Sequence, residues 1–261
     1  MKGYAWVLLL AMASMECVAG FDEGSAAYEA KDYTTAFWEF LPLANDGDAS
    51  SQIYLGVMYE QGKGVAQDYS QAADWYRKAA EQGYSDAQNN LGIMYSLGQG
   101  VPKDYTQAIN WFRKAAEQGN MNAQLRIGNL YYNGNGVVQD YTQAINWFRK
   151  AAGQDNAGAQ YNLGLMYSQG LGVPQNFIQA AKWYRKAGTQ GHSDSLNNLG
   201  VTYARGEGVT KNLVLAHIFY NLAAANGDGT SKDNRDELRP HLTSAQLNEA
   251  QELASKWVIN Q

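Results

Sequence analysis

From Asp86 to Leu97 the apolar positions fall at helical spacing, with Ala87, Leu91 and Tyr95 on one face and Gly98 continuing it. A second helical segment follows from about Tyr105 to Gln118. Asp104 stands before it as an N-cap, and Gln107, three residues on, can reach back to complete a capping box. Arg113 and Lys114 lie in its second half, where positive charge suits a helix C-terminus. Gly119 offers a left-handed stop. The glycines of Gly98-Gln99-Gly100-Val101-Pro102 make the turn between the two segments. The pattern predicts a hairpin of two helices, A and B.

This hairpin returns in one fixed register. Gly56, Gly92, Gly128, Gly164 and Gly200 are each 36 residues apart, and Tyr59, Tyr95, Tyr131, Tyr167 and Tyr203 keep the same step. So do Trp75, Trp111, Trp147, Trp183 and Phe219. Asp68 with Gln71, Asp140 with Gln143 and Asn176 with Gln179 repeat the capping arrangement. The glycine inside helix A costs about 1 kcal/mol of helix propensity, so its return predicts that another helix backbone approaches there. Such a hairpin cannot bury its apolar faces alone and must stack on its neighbours. The expected fold is an all-α solenoid with a continuous core.

The recurring A-Q-x-x-L-G-x-M-Y-x-x-G-x-G-V-x-x-D-Y-x-Q-A-x-x-W-(F/Y)-R-K-A-A-E-Q-G resembles the Sel1-like repeat, a relative of the tetratricopeptide repeat. The copies span 49–84, 85–120, 121–156, 157–192 and 193–228. The resemblance implies a right-handed superhelix of stacked hairpins. The fifth copy departs from the pattern at Leu213, His217 and Asn221, as a terminal copy would. Residues 20–48 resemble a shorter capping hairpin, in which Pro42 is expected to break or kink the second helix. Residues 229–261 are expected to form C-terminal capping helices. There Thr243 and Gln246 form a capping box, and Leu247, Ala250, Leu253, Ala254 and Trp257 form an apolar stripe.

The first 19 residues combine Lys2, a short apolar run from Trp6 to Met12 and the small residues near Ala19, the order of a cleavable signal peptide. Export to the periplasm or beyond the cell follows as an expectation. Cleavage there removes Cys17, the only cysteine, and with it any thiol chemistry. The net charge of −5 disfavours a nucleic-acid partner, which requires a basic face.

The recurring residues that carry chemistry have simpler readings. The Gly-x-Gly loops lack the continuation of a phosphate-binding loop and follow no predicted strand. Asp68, Asp104 and Asp140 are read as caps. His192, His217 and His241 have no metal-ligand spacing. The Arg-Lys pairs read as helix-end charges, and the tryptophans as core residues. The sequence points to no enzyme, cofactor or metal.

What varies between copies lies on helix A, opposite the Ala-Leu-Tyr stripe. These positions carry Asn89, Ile93 and Ser96 in the second copy, and Leu125, Asn129 and Tyr132 in the third. The fourth copy carries Tyr161, Leu165 and Ser168, and the fifth Asn197 and Val201. Asn90, Arg126, Asn162 and Asn198 line one shoulder. In tetratricopeptide-like solenoids this side lines a concave groove, so the resemblance implies a surface for a peptide or a partner helix. Sel1-like proteins act mainly through protein–protein contacts, which makes a scaffold or adaptor of the bacterial envelope the expected function. Two alternatives remain open: a peptidoglycan-binding module, and a β-lactam hydrolase like the cysteine-rich relatives of the family. The second lacks their cysteine pairs and any S-x-x-K here.

Overall fold

The computed structural model describes residues 20–259, and these are helical with short turns between. The signal-peptide segment, residues 1–19, lies outside them, as does the side chain of Trp257. A first helix, α1 (20–29), is followed by α2 (Tyr33–Asn45). Five A/B hairpins come next: α3 (Ala49–Gln61) with α4 (Tyr69–Glu81), α5 (Ser85–Leu97) with α6 (Tyr105–Glu117), and α7 (Met121–Asn133) with α8 (Tyr141–Ala152), then α9 (Ala157–Gln169) with α10 (Phe177–Gly188) and α11 (Ser193–Arg205) with α12 (Leu213–Ala225). The chain closes with α13 (Gly229–Leu238), a 3₁₀ turn at Arg239–His241 and α14 (Ser244–Ile259). Two compact units are present, one ending at Ala123 within α7 and one beginning at Gln124.

Each hairpin closes in the same way. Asp104 accepts from the backbone N–H groups of Thr106 and Gln107 at 2.8 and 3.1 Å, while its own N–H donates to Tyr95 O at 2.9 Å. One residue thus caps helix B and ties it to helix A. Asp68, Asp140, Asn176 and Asn212 do the same in the other copies. The turn between needs left-handed backbone at Gly98 (φ 74°) and Gly100 (φ 69°). Gly100 further lies against the backbone of Tyr69 in the preceding hairpin, where a Cβ has no room. The Gly-x-Gly loop is therefore a turn that seats one hairpin on another.

The recurring helix-A glycine serves a different contact from the expected one. No helix backbone approaches it; the ring after the tryptophan does. A Cβ on Gly92 would lie 2.6 Å from Phe112 Cε1, and Gly56, Gly128, Gly164 and Gly200 face Tyr76, Phe148, Tyr184 and Tyr220 in the same way. These rings are buried with the alanines around them, such as Ala108 and Ala115 beside Phe112. The tryptophans face outward by comparison. Trp75 is buried, but Trp111, Trp147 and Trp183 are only half-buried. Each carries the ammonium of the lysine three residues on: Lys78, Lys114, Lys150 and Lys186 lie 3.7, 3.9, 4.0 and 5.0 Å from the ring centroids. The arginine of each pair reaches the next copy instead. Arg149 donates to the Tyr167 hydroxyl at 2.9 Å, and Arg185 to that of Tyr203. The pairs are inter-residue clamps rather than free helix-end charges.

A buried glutamine links the hairpins. Gln88 donates to Ala80 O at 3.1 Å, and Gln52 to Ala44 O at 3.0 Å. The fifth copy has Leu196 at this position, packed against Gly188, which replaces the alanine of the other copies. A Cβ on Gly188 would lie 2.9 Å from Leu196 Cδ2.

The terminal elements correct two expectations. Helix α2 runs through Pro42 to Asn45 without a break, since Pro42 sits in its last turn and forfeits little helical bonding. In α14 the Thr243–Gln246 capping box forms as expected, with Thr243 N–H donating to Gln246 Oε1 at 2.9 Å. Ala250 and Ala254 are buried, whereas Leu253 is exposed.

Candidate partner-binding face

The variable A-helix positions divide by what they touch. Asn89, Leu125, Tyr161 and Asn197 occupy one position of the repeat, and none is a free surface residue. Asn89 is buried, donates to Asn90 Oδ1 at 3.3 Å, and leaves its own Oδ1 without a partner among the described residues. Leu125 packs beside Gly158 at the start of the next A helix. Tyr161 stacks on His192, with ring centroids 4.8 Å apart. Asn197 Oδ1 accepts from Ser231 and Asn234 of α13, both at 2.9 Å. This position belongs to the seam between successive hairpins.

The shoulder position is more accessible and more varied. Asn90 hydrogen-bonds the buried Tyr76 hydroxyl, which also donates to Glu60 Oε2 at 2.6 Å. Burial above all pushes the Tyr76 pKa up. Asn198 bonds both Tyr161 and Tyr184, and burial raises the pKa of each, that of Tyr184 to about 12. These phenols stay protonated near neutral pH and serve as hydrogen-bond donors. Asn162 donates to Asn129 Oδ1 at 3.0 Å. Arg126 is exposed and has no ion-pair partner among the described residues. Desolvation lowers its pKa, but a guanidinium keeps its charge.

The remaining positions are half-buried. Ser96 Oγ donates to Ile93 O at 2.7 Å, and Ser168 Oγ donates to Leu165 O at 2.9 Å while lying 3.1 Å from the Tyr184 hydroxyl. Tyr132 meets Tyr141 edge-on at 5.4 Å, and Leu165 and Val201 pack on the core of the second unit. Arg126, Asn129 and Tyr132 are spaced by three along α7 and share one side of it. Asn162 joins them through its bond to Asn129.

His192 has a role that sequence spacing did not reveal. It is the N-cap of α11, and its Nδ1 accepts from Ser195 N–H at 3.3 Å. Asn120 and Asn156 cap α7 and α9 at the same repeat position, which is the signal that could have found it. No group of three or more His, Cys, Asp or Glu side chains that could hold a metal occurs among the described residues. No helix among them is long and apolar enough to cross a membrane.

Comparison with known proteins places this geometry. The Sel1 repeat family model matches residues 49–84, 85–120, 122–156, 157–192 and 193–228. The crystal structure of c5321, a protective antigen present in uropathogenic Escherichia coli strains, shares 36% identity with a TM-score of 0.83, over 96% of this chain and 54% of that one. The chain thus spans about half the length of that relative. A Sel1 repeat protein from Oxalobacter formigenes shares 33% identity with a TM-score of 0.80, over 90% of this chain and 99% of that one. Immunity protein Pa5087 from Pseudomonas aeruginosa, at 22% identity and a TM-score of 0.52 over 80% of this chain and 81% of that one, shares the fold alone. Comparison with curated proteins finds no match. The chain belongs to the Sel1 repeat family and is an all-α solenoid of that class, whose repeats generally mediate protein–protein interaction.

Proposed function

We propose that this protein is a non-enzymatic scaffold or adaptor of the bacterial envelope, binding a peptide segment or partner helix on its A-helix face. One observation carries the reading. On α7, Arg126, Asn129 and Tyr132 line one side, and the guanidinium there has no ion-pair partner among the described residues. A charge, two side-chain amides and a half-buried aromatic ring together suit a chain with both backbone carbonyls and apolar side chains. Family membership supports a protein partner. The envelope location rests on the signal-peptide pattern of residues 1–19. The Trp–Lys stacking removes one ring face from any ladder on which a glycan would stack.

A photoreactive residue placed at Asn129 in intact cells tests the site. The expected result is one reproducible protein adduct that disappears when Arg126→Glu and Tyr132→Ala are added. An adduct indifferent to those changes, or none at all, overturns the assignment. Cell fractionation with N-terminal sequencing tests the location, and the expected mature chain begins at Gly20. A chain retained in the cytoplasm with Met1 in place overturns export.

A further inference from the structure

The fifth copy's departures converge on one place. His217, Asn221 and Leu222 stand where the second copy has Ile109, Arg113 and Lys114, and Ile218 stands where it has Asn110. They turn the outer side of α12 toward α13 and α14, which enclose with it a cleft of about 610 Å³. One wall is apolar, formed by Ile218 and Leu222 of α12 and by Leu247 and Ala250 of α14. The other end is polar and carries His217, Asn221, Arg235, Asp236 and Arg239.

The charges at that end do not cancel. Arg235 spends its Nε and Nη2 on Asp236 Oδ1, at 2.9 and 2.8 Å, and its Nη1 on Asn221 Oδ1 at 3.2 Å. Arg239 is exposed and has no ion-pair partner among the described residues. Burial, then Arg235 and Arg239, lower the His217 pKa, so its imidazole is neutral near pH 7. One uncompensated positive charge therefore faces an apolar cleft of the size small ligands occupy. A single carboxylate balances it. A phosphate dianion would exceed it and meet the Asp236 carboxylate nearby.

We propose that the cleft between α12, α13 and α14 binds a carboxylate borne on a short apolar chain, with the carboxylate on Arg239 and the chain along Ile218, Leu222 and Leu247. A guanidinium can grip a carboxylate with two parallel N–H donors. Two sources offer this chemistry: a free alkanoic acid, and the C-terminus of a polypeptide ending in apolar residues. The site is separate from the α7 face, and its test does not depend on that face.

Calorimetry on the full chain with octanoate, octan-1-ol, acetyl-Leu-Leu as the free acid and acetyl-Leu-Leu amide tests the proposal. At least one acid is expected to bind at least about tenfold tighter than its uncharged counterpart, as loss of one charge-assisted bond implies. The acid that binds more tightly identifies the source. Arg239→Gln is expected to erase the preference while leaving the circular dichroism spectrum and melting temperature unchanged, because Arg239 is exposed. Arg239→Lys should restore part of it. Equal binding of acids and uncharged counterparts, binding by neither acid, or an acid preference that survives Arg239→Gln would each overturn the proposal.

Discussion

Gln118 donates to Gln88 Oε1 at 2.8 Å, and Gln88 in turn donates to Ala80 O at 3.1 Å. The relay runs from the end of one B helix, through its own A helix, to the last turn of the preceding B helix. Gln82 with Gln52 and Ala44, and Gln190 with Gln160 and Ala152, repeat it, the last bond being long at 3.5 Å. The middle amide is buried in every case, so both its ends must be bonded.

Gln88→Leu strands the Ala80 carbonyl and frees the Gln118 amide. The expected cost is about 1–3 kcal/mol, read as a lower denaturant midpoint with an unchanged slope. An unchanged midpoint would mean that solvent replaces the relay at no cost.

Gly92→Ala sets two effects against each other. Alanine gains about 1 kcal/mol of helix propensity. Its Cβ would also come within 2.6 Å of the buried Phe112 ring, which has nowhere to move. Overpacking of this kind costs about 1–3 kcal/mol, so the net change should be destabilising. Adding Phe112→Leu should make the alanine less harmful than it is alone, a non-additivity that a double-mutant cycle measures.

Phe112 and Trp111 separate core from cover. Phe112→Ala should lose about 3–5 kcal/mol, the value for a buried aromatic. Trp111→Ala should lose less, because its ring is half-buried under the Lys114 ammonium. Thermal melts of the two variants, run side by side, check the order.

The α11 cap should make stability depend on pH. His192 Nδ1 must be unprotonated to accept the Ser195 N–H, and burial lowers its pKa from the ordinary value, with the Asp194 charge partly opposing. A lowered folded-state pKa means that the contribution is complete above the ordinary imidazole value, about 6.5. It is lost as pH falls through the lowered value. His192→Asn keeps a cap that does not titrate, as Asn156 does in α9. Between pH 7 and pH 5 the wild type should therefore lose more stability than His192→Asn, by up to the value of a cap, about 0.5–2 kcal/mol. Parallel pH dependence of the two proteins would remove His192 as the cause.

The fold was legible because periodicity and capping are local signals. Gly92, Asp104 and Tyr95 recur at fixed spacing, and a fixed spacing can come only from a repeated hairpin. Which neighbour of a Trp-Phe pair faces inward was not legible. Adjacent helical residues differ by about 100° in direction, and both recur, so only the position of the next hairpin decides. The same limit affected the candidate face. Variation marked Asn89, Leu125, Tyr161 and Asn197 as free of the hairpin's internal packing, which they are. They are engaged by the following hairpin instead, through Gly158, His192 and Ser231 for the last three. Arg126 could be found from sequence as a lone arginine among asparagines at its repeat position, but its lack of an ion-pair partner required coordinates.

The Gly188–Leu196 contact also limits how this chain can change its length. The second and third copies share Tyr-Thr-Gln-Ala-Ile-Asn-Trp-Phe-Arg-Lys-Ala-Ala without a difference, so exchange between them rewrites almost nothing. The fourth and fifth form a matched lock and key: the side chain missing from one leaves the space the other fills. A recombinant that joined the fifth copy to any hairpin ending in Ala-Ala would be born with a collision at its junction. Gain or loss of repeats is thereby confined to the copies before the fourth, and the last pair is inherited as one piece.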